Sequence, residues 1–254
     1  MTTLIEAVKN GNLQLVESLI STGVDPDVTD FYLNTPLHIA AYNGKHEVVK
    51  LLLAVGADIN TMDIYGYTPL HNAAQNGHQT VVEMLLATGA NINAINDMNY
   101  TPLSLAAFYG HPSTVKILLA AGANINRIVN RDNILLHEAA LRRQLSMVEI
   151  LLSIGVNVNA RDENNNIPLH IASTYGCLSI VKALLAAGAN VNAVNNNKYT
   201  PLHNAVFSNL NKVVEVLLDA GADINIIDKY NRTPLQIAKS NDAHDIVNLF
   251  QLKE

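Results

Sequence analysis

The sequence predicts an all-α solenoid of eight stacked helix–turn–helix units. Two residue series with a period of 33 indicate the repeats: six prolines from Pro36 to Pro234, and seven glycines from Gly23 to Gly221. Within each period, two short segments carry apolar residues at helical spacing. Segments this short cannot bury their apolar faces alone, so neighbouring copies are expected to stack and share a core.

The copy in Leu33–Asn60 shows why each element forms. The hydroxyl of Thr35 can cap a first helix, and Pro36 then occupies the first helical position, where no amide hydrogen is needed. Gly44 is free to take the left-handed conformation that ends this helix. A second helix is predicted over about Glu47–Val55, and the glycine after it leads into an extended turn.

The copies define the expected domain organisation. Residues 1–33 are predicted to form an N-terminal cap repeat, residues 34–231 six internal repeats and residues 232–254 a C-terminal cap repeat. The first copy departs from the motif and the last ends in polar residues, as the caps of a solenoid should. These boundaries describe one domain over residues 1–254.

The motifs at the starts of the first helices are specific. They read TPLHIAA, TPLHNAA, TPLSLAA, IPLHIAS and TPLHNAV. The sequence therefore resembles the ankyrin-repeat family, whose signature is T-P-L-H-x-A at this period, over essentially the whole chain. The resemblance implies that the recurring histidines fix the turns by hydrogen bonding. It also implies that the turn tips and the ends of the first helices line a concave face that contacts a protein partner.

Composition and charge argue against several classes of function. A net charge of −6 disfavours a protein that neutralises the phosphates of a nucleic acid. No apolar run reaches the ~18 residues needed to span a bilayer, and no secretory signal begins the chain, so we expect a soluble, cytoplasmic protein. The single Cys excludes an internal disulfide.

No combination of residues predicts catalysis, a metal or a cofactor. Five histidines occupy the same position of the repeat, and a whole repeat separates each from the next: His38, His71, His137, His170 and His203. They are therefore too far apart to converge on one metal ion. Cys177 has no matched base, and phosphate-binding loops and hydrolase motifs are missing. We expect a protein that is not an enzyme.

Function is expected where the copies differ, at the turn tips and at the ends of the first helices. Twelve of the thirteen Phe and Tyr side chains lie in these two zones, and exposed aromatic side chains are typical of interface hot spots. The aromatic residues predicted to contact a partner are Tyr42, Tyr65, Tyr100, Phe108, Tyr109, Tyr175 and Phe207. For Tyr100, a role in packing against the neighbouring turn is equally open.

The fifth copy lacks the Thr-Pro start and has five of the six arginines within or beside it. Arg131, Arg142 and Arg143 are predicted to bind an acidic segment of the partner, because guanidinium groups pair well with carboxylates. The alternative is a solvated surface in which the arginines pair with Glu138 and Asp132. Arg143 replaces the helix-ending glycine, and a left-handed backbone there would cost on the order of 1 kcal/mol.

The sequence thus predicts a non-catalytic module that binds a partner protein on its concave face and turn tips. The expected centre of the site combines Phe108, Tyr109, Arg142, Arg143, Tyr175 and Phe207, with Tyr65, Tyr100 and Arg131 beside it. Two alternatives stay open. One is a microbial effector of the same fold, delivered to a host cytoplasm, that engages a host protein. The other is a binder of a small anionic ligand through the arginines of repeat five.

Overall fold

The computed structural model describes residues 3–124 and 135–252. Within these ranges the chain forms sixteen short helices and no strand, so the predicted all-α class is confirmed. None of these helices is both long enough and apolar enough to cross a membrane. The chain divides into two compact units, Met1–Ile128 and Val129–Glu254, each built from consecutive helix pairs.

The first unit contains four helix pairs. They are α1 (Leu4–Lys9) with α2 (Leu13–Ser21), α3 (Pro36–Tyr42) with α4 (His46–Ala54), α5 (Pro69–Gln75) with α6 (Gln79–Ala87), and α7 (Pro102–Phe108) with α8 (Pro112–Ala120). The first helix of each pair packs against the first helix of the next pair, and the second helices pack in the same way. Each pair thus completes the core of its neighbour.

The second unit repeats this arrangement. Its pairs are α9 (Leu135–Leu141) with α10 (Leu145–Ser153), α11 (Pro168–Tyr175) with α12 (Leu178–Ala186), α13 (Pro201–Phe207) with α14 (Asn211–Asp219), and α15 (Pro234–Ser240) with α16 (His244–Gln251). Its first helices pack in one row and its second helices in another.

The first helices begin with the cap that the sequence predicts. The Thr35 hydroxyl accepts a hydrogen bond from the His38 amide (3.4 Å), and the Thr35 amide donates to Nδ1 of the same imidazole (3.2 Å). Pro36 follows at the first helical position. Gly44 ends the helix with a φ of 65°. The second helix, His46–Ala54, lies one residue earlier at each end than predicted.

The same imidazole also binds the next copy. Nε2 of His38 lies 2.9 Å from the Tyr67 carbonyl oxygen, and Nε2 of His71 lies 3.0 Å from that of Tyr100. Because Nδ1 accepts an amide hydrogen, the proton sits on Nε2 and the ring is neutral. Burial lowers the pKa of His38, and it lowers the pKa of His71 to about 4. The bridge recurs in the second unit at His137, His170 and His203.

Aliphatic side chains form the core. In the second copy Leu37, Val49 and Leu52 are fully buried, and each such side chain stabilises the fold by roughly 1.5–3 kcal/mol. Among the described Phe and Tyr side chains, Phe250 is the only one that is buried. The other aromatic rings therefore reach the surface at the variable positions.

The fifth copy keeps the left-handed turn without a glycine. Arg143 has a φ of 59°, at the position where Gly44 has 65°. Asn209 and Asp242 hold this position in the last two copies, with φ values of 53° and 54°, and Asn and Asp tolerate the left-handed region better than Arg does. Arg143 thus takes the left-handed conformation that a glycine takes at this position in other copies.

Replacing His71 with serine should separate the two roles of the imidazole. A serine hydroxyl can still accept from the cap amide, as Ser104 does from the amide of Thr101 (2.8 Å), but it is too short to bridge to Tyr100. We expect His71→Ser to lower the free energy of unfolding by about 1–3 kcal/mol at neutral pH, because the buried imidazole is lost and the Tyr100 carbonyl keeps only the Asn96 amide of its two donors. Urea unfolding followed by circular dichroism measures the change.

The same variant tests how stability depends on pH. The pKa of His71 falls from 6.5 to about 4 on folding, so between these values the folded state binds fewer protons than the unfolded state. The neutral His71 makes its full contribution to the free energy of unfolding above pH 6.5. This contribution is lost as pH falls toward 4, by up to about 1 kcal/mol per pH unit. His71→Ser should therefore lose less stability than the wild type on acidification. Equal losses would contradict the neutral bridge.

Two variants at Arg143 isolate the backbone strain. Both Arg143→Ala and Arg143→Gly remove the side chain, but alanine keeps a Cβ in the left-handed conformation and glycine does not. We expect the glycine variant to be more stable than the alanine variant by about 1 kcal/mol in urea unfolding. If the two unfold at the same urea concentration, this turn holds no strain.

Candidate functional site

An open groove of about 550 Å³ lies on the first unit. Its walls come from both zones that the sequence marked as variable: Tyr65 and Met98 from the turn tips, and Tyr42 and Gln75 from the ends of α3 and α5. Tyr42 and Tyr65 are 50% and 52% exposed. The structure thus brings two of the predicted binding residues to one surface.

Polar groups line the floor and rim of this groove. Asp63 Oδ1 accepts hydrogen bonds from the amides of Tyr65 and Tyr67, both at 2.9 Å, which shapes the turn. Lys9 Nζ lies 4.0 Å from Asp30 Oδ2. Burial raises the pKa of the Tyr67 hydroxyl, and the nearby Tyr109 and Asp63 reinforce the shift, so this hydroxyl stays protonated at neutral pH.

A second group of predicted residues forms a chain of rings in the same unit. The Tyr100 and Phe108 ring centroids are 6.3 Å apart, and those of Phe108 and Tyr109 are 5.2 Å apart. Tyr100 is half-buried and its carbonyl accepts from His71, whereas Tyr109 is exposed. Tyr100 therefore contributes to packing, the role that the sequence left open, and Tyr109 offers the accessible ring.

The described arginines of the fifth copy make contacts within the second unit. Arg142 Nε lies 3.1 Å from Glu138 Oε2, which is the pairing that the solvated-surface alternative predicted. Arg143 Nη2 donates to the Tyr175 carbonyl at the end of α11 (3.0 Å), and thereby caps that helix. Arg131 and Asp132 lie outside the described residues.

Arg161 is engaged in the same way. Its Nη1 donates to the carbonyl oxygens of Asn165 and Val194, both at 2.9 Å. Three of the five clustered arginines therefore bind groups of their own unit. Neither an acidic partner segment nor a small anionic ligand gains support from these contacts.

The last copies carry a cluster that the sequence analysis missed. Phe207, a predicted binding residue, packs edge-on against Tyr199 with the ring centroids 5.1 Å apart. The Arg232 guanidinium carbon lies 5.4 Å from the Phe207 ring centroid and 5.0 Å from that of Tyr230, within cation–π range. Arg232 also donates to Asp228 Oδ2 through Nε (2.9 Å) and Nη2 (2.8 Å).

Alignment of the repeats could have pointed to Arg232. It occupies the position that Tyr67, Tyr100 and Tyr199 hold in other copies, and it is the only arginine remote from the fifth copy. Burial alone would raise the pKa of Asp228, but hydrogen bonds from the backbone and guanidinium of Arg232 outweigh it and hold that pKa below its usual range. This fixed ion pair orients the guanidinium toward the rings.

The described titratable groups do not gather into a metal-binding cluster. No three His, Cys, Asp or Glu side chains in residues 3–124 and 135–252 stand close enough together to hold a metal ion. Burial raises the pKa of the Cys177 thiol even though Arg143 opposes the shift, so little thiolate forms at neutral pH. Four buried histidines use both ring nitrogens in structural hydrogen bonds: His38, His71, His170 and His203.

The predicted site residues fall into two sets. Tyr42, Tyr65, Tyr100, Phe108 and Tyr109 belong to the first unit, and Arg142, Arg143, Tyr175 and Phe207 belong to the second. Tyr175 is exposed, as is Phe207. The expected single centre draws on both sets and stays a prediction.

Comparisons with known proteins agree with this architecture. A family model of ankyrin repeats matches residues 4–96, 65–129, 136–228 and 169–253. The chain is similar to the human ASB11 ankyrin repeat domain, with a TM-score of 0.72 and 30% identity over 87% of this chain and 98% of that one. It is also similar to the ankyrin repeat domain of Bcl-3, a member of the IkappaB protein family, with a TM-score of 0.68 and 31% identity over 85% and 98% of the two chains.

No curated protein matches the chain at a significant level. The family model nevertheless spans most of the described residues, and the capped helix pairs and bridging histidines recur with the same period. The chain therefore belongs to the ankyrin-repeat family.

Proposed function

We propose that the protein is a non-catalytic module that binds a partner protein through its turn tips and the ends of its first helices. Ankyrin repeat domains are in general protein–protein interaction modules. The observation that supports this function here is the exposure of large apolar side chains at the variable positions of the repeat.

This exposure is most pronounced in the first unit. Phe31 is 89% exposed at a turn tip, and Tyr32, Tyr65 and Met98 are each about half exposed at or beside the tips of their turns. The constant Thr-Pro-Leu positions that follow these tips are buried. Surface patches of aromatic and apolar side chains favour contact with another protein, because their burial removes apolar area from water.

The scaffold reduces the entropy cost of binding. Five described tips are held in two ways: their own Asp or Asn oxygen accepts hydrogen bonds from the turn, and the histidine of the preceding copy donates to it, as Asp63 and His38 hold the turn before Thr68. A binding surface that is ordered before the partner arrives loses less conformational freedom on association. The exposed rings have few rotatable bonds, which adds to this advantage.

Affinity capture from cell lysates, with identification by mass spectrometry, tests the proposal. We expect the wild-type chain to capture a protein that the double variant Tyr42→Ala/Tyr65→Ala loses, since truncating a hot-spot ring costs roughly 2 kcal/mol or more, on the order of thirtyfold in affinity. The variant Tyr175→Ala/Phe207→Ala tests the second unit separately.

A matched control removes exposed apolar side chains outside the groove. Val55 and Met62 are about as exposed as the two tyrosines and do not line the groove, so Val55→Ala/Met62→Ala should capture the same proteins as the wild type. If the tyrosine variants and this control retain the same proteins, the turn tips and first-helix ends are not the binding surface.

A further inference from the structure

The acidic excess of the chain is concentrated in the first unit. Residues 3–124 contain ten Asp and Glu against four Lys, whereas residues 135–252 contain ten Asp and Glu against nine Lys and Arg. The surface that carries the exposed tyrosines therefore lies in a negative field, which attracts cationic groups and repels phosphates. Arg131, Arg142 and Arg143, which suggested an acidic partner, lie outside this unit.

The groove of the first unit carries part of this charge. Asp30 and Asp63 both line it, and Lys9 is the only basic side chain among its lining residues. His38 adds no positive charge near neutral pH, because burial lowers its pKa and both its nitrogens are hydrogen-bonded. The groove thus combines carboxylates with the rings of Tyr42, Tyr65 and Tyr67.

The second oxygen of Asp63 is not required by the fold. Oδ1 makes both hydrogen bonds that shape the turn, and Oδ2 has no hydrogen-bond partner among the described residues. In the sixth copy Asn195 holds the same turn with its single amide oxygen, which accepts from the amides of Asn197 and Tyr199. The turn therefore needs one acceptor oxygen, and a negative charge at Asp63 serves no structural purpose.

The residue four positions later decides whether the second oxygen is available. Asp162 Oδ2 accepts from Asn166 Nδ2 (3.0 Å), and Asp228 Oδ2 accepts from Arg232. Tyr67 follows Asp63 at this spacing and makes no such bond. Among the described turn aspartates, Asp63 is therefore the one that lines the groove with a carboxylate oxygen that makes no hydrogen bond.

We infer that this groove binds a Lys or Arg side chain within an extended segment of the partner protein, with the cation between the Asp63 carboxylate and the rings of Tyr42 and Tyr65. This inference rests on the proposed function and specifies the chemistry of the partner. A cation beside a carboxylate gains Coulomb energy, and the face of a tyrosine ring attracts the same cation. The apolar Met98 and Ile39 offer contact to the neighbouring aliphatic carbons of such a segment.

Selection from a random twelve-residue peptide library, displayed on phage and panned against the full chain, tests the inference. We expect the selected peptides to be enriched in Arg and Lys. Fluorescence anisotropy of one selected peptide should show about tenfold weaker binding to Tyr65→Ala and about three- to tenfold weaker binding to Asp63→Asn. Replacing the arginine of the peptide with citrulline, its uncharged isostere, should weaken binding to the wild type more than binding to Asp63→Asn, because only the attraction to the tyrosine rings is left to lose in that variant.

Asp58→Asn is the matched control. It makes the same change of charge in the same unit, at an exposed turn position outside the groove, and the next copy has Asn91 there. Asp58 Oδ1 accepts from the Asn60 amide as Asn91 Oδ1 accepts from the Asn93 amide, so the turn is preserved. Both Asn variants should unfold at the same urea concentration as the wild type, and Asp58→Asn should bind the peptide normally.

Several outcomes would overturn the inference. The selected peptides whose binding requires Tyr65 could be acidic or neutral, or no selected peptide could require Tyr65. Asp63→Asn and Asp58→Asn could weaken peptide binding equally. The chain could also form a dimer that Tyr65→Ala dissociates. Acidic or neutral peptides that still require Tyr65 would leave the proposed function intact, because they would show a protein-binding groove with a different preference. The proposed function itself fails only if the capture experiment also fails.

Discussion

The neutral imidazole shared by neighbouring copies is the interaction on which the rest of the structure depends. One ring accepts from the cap amide of its own helix and donates to a carbonyl of the following turn. In the five copies that have this histidine, the first helix is thus tied to the position of the next tip. Because the bond to the tip uses a backbone carbonyl, the side chain at that position can change without loss of the bridge. The position whose carbonyl accepts from the histidine is held by Tyr67, Tyr100, Asn166, Tyr199 and Arg232 in different copies.

The residue that accepts hydrogen bonds from the turn amides can also change between copies. Either Asp or Asn provides the single oxygen that the turn needs, so the fold tolerates a charge at this position without requiring it. What the charge then does depends on its neighbour. The carboxylate of Asp228 accepts hydrogen bonds from Arg232 and holds that guanidinium beside two aromatic rings. The carboxylate of Asp63, in contrast, has one oxygen without a hydrogen bond and lines a groove. A constant scaffold thus produces different surfaces from the same residue type.

The arginines show why a local concentration of charge is a poor guide to a binding site. Arg142, Arg143 and Arg161 look like a basic patch in the sequence, yet a carboxylate and three backbone carbonyls of their own unit accept their hydrogen bonds. A guanidinium that is already hydrogen-bonded must give up those bonds before it can pair with a partner. Arg143 replaces a glycine and accepts a left-handed backbone, and its side chain then caps the next first helix.

The sequence by itself determined the period, the two helices of each copy, the Thr-Pro caps and the aliphatic core. These features depend on residues within one copy or at the same position in the next, and a repeat displays both directly. Only the tertiary structure decided which charges are available, that Tyr42 and Tyr65 share a groove with Asp63, and that Arg232 lies over Phe207. Those outcomes depend on side-chain directions and distances of a few ångströms between turns and helices, which spacing along the chain does not specify.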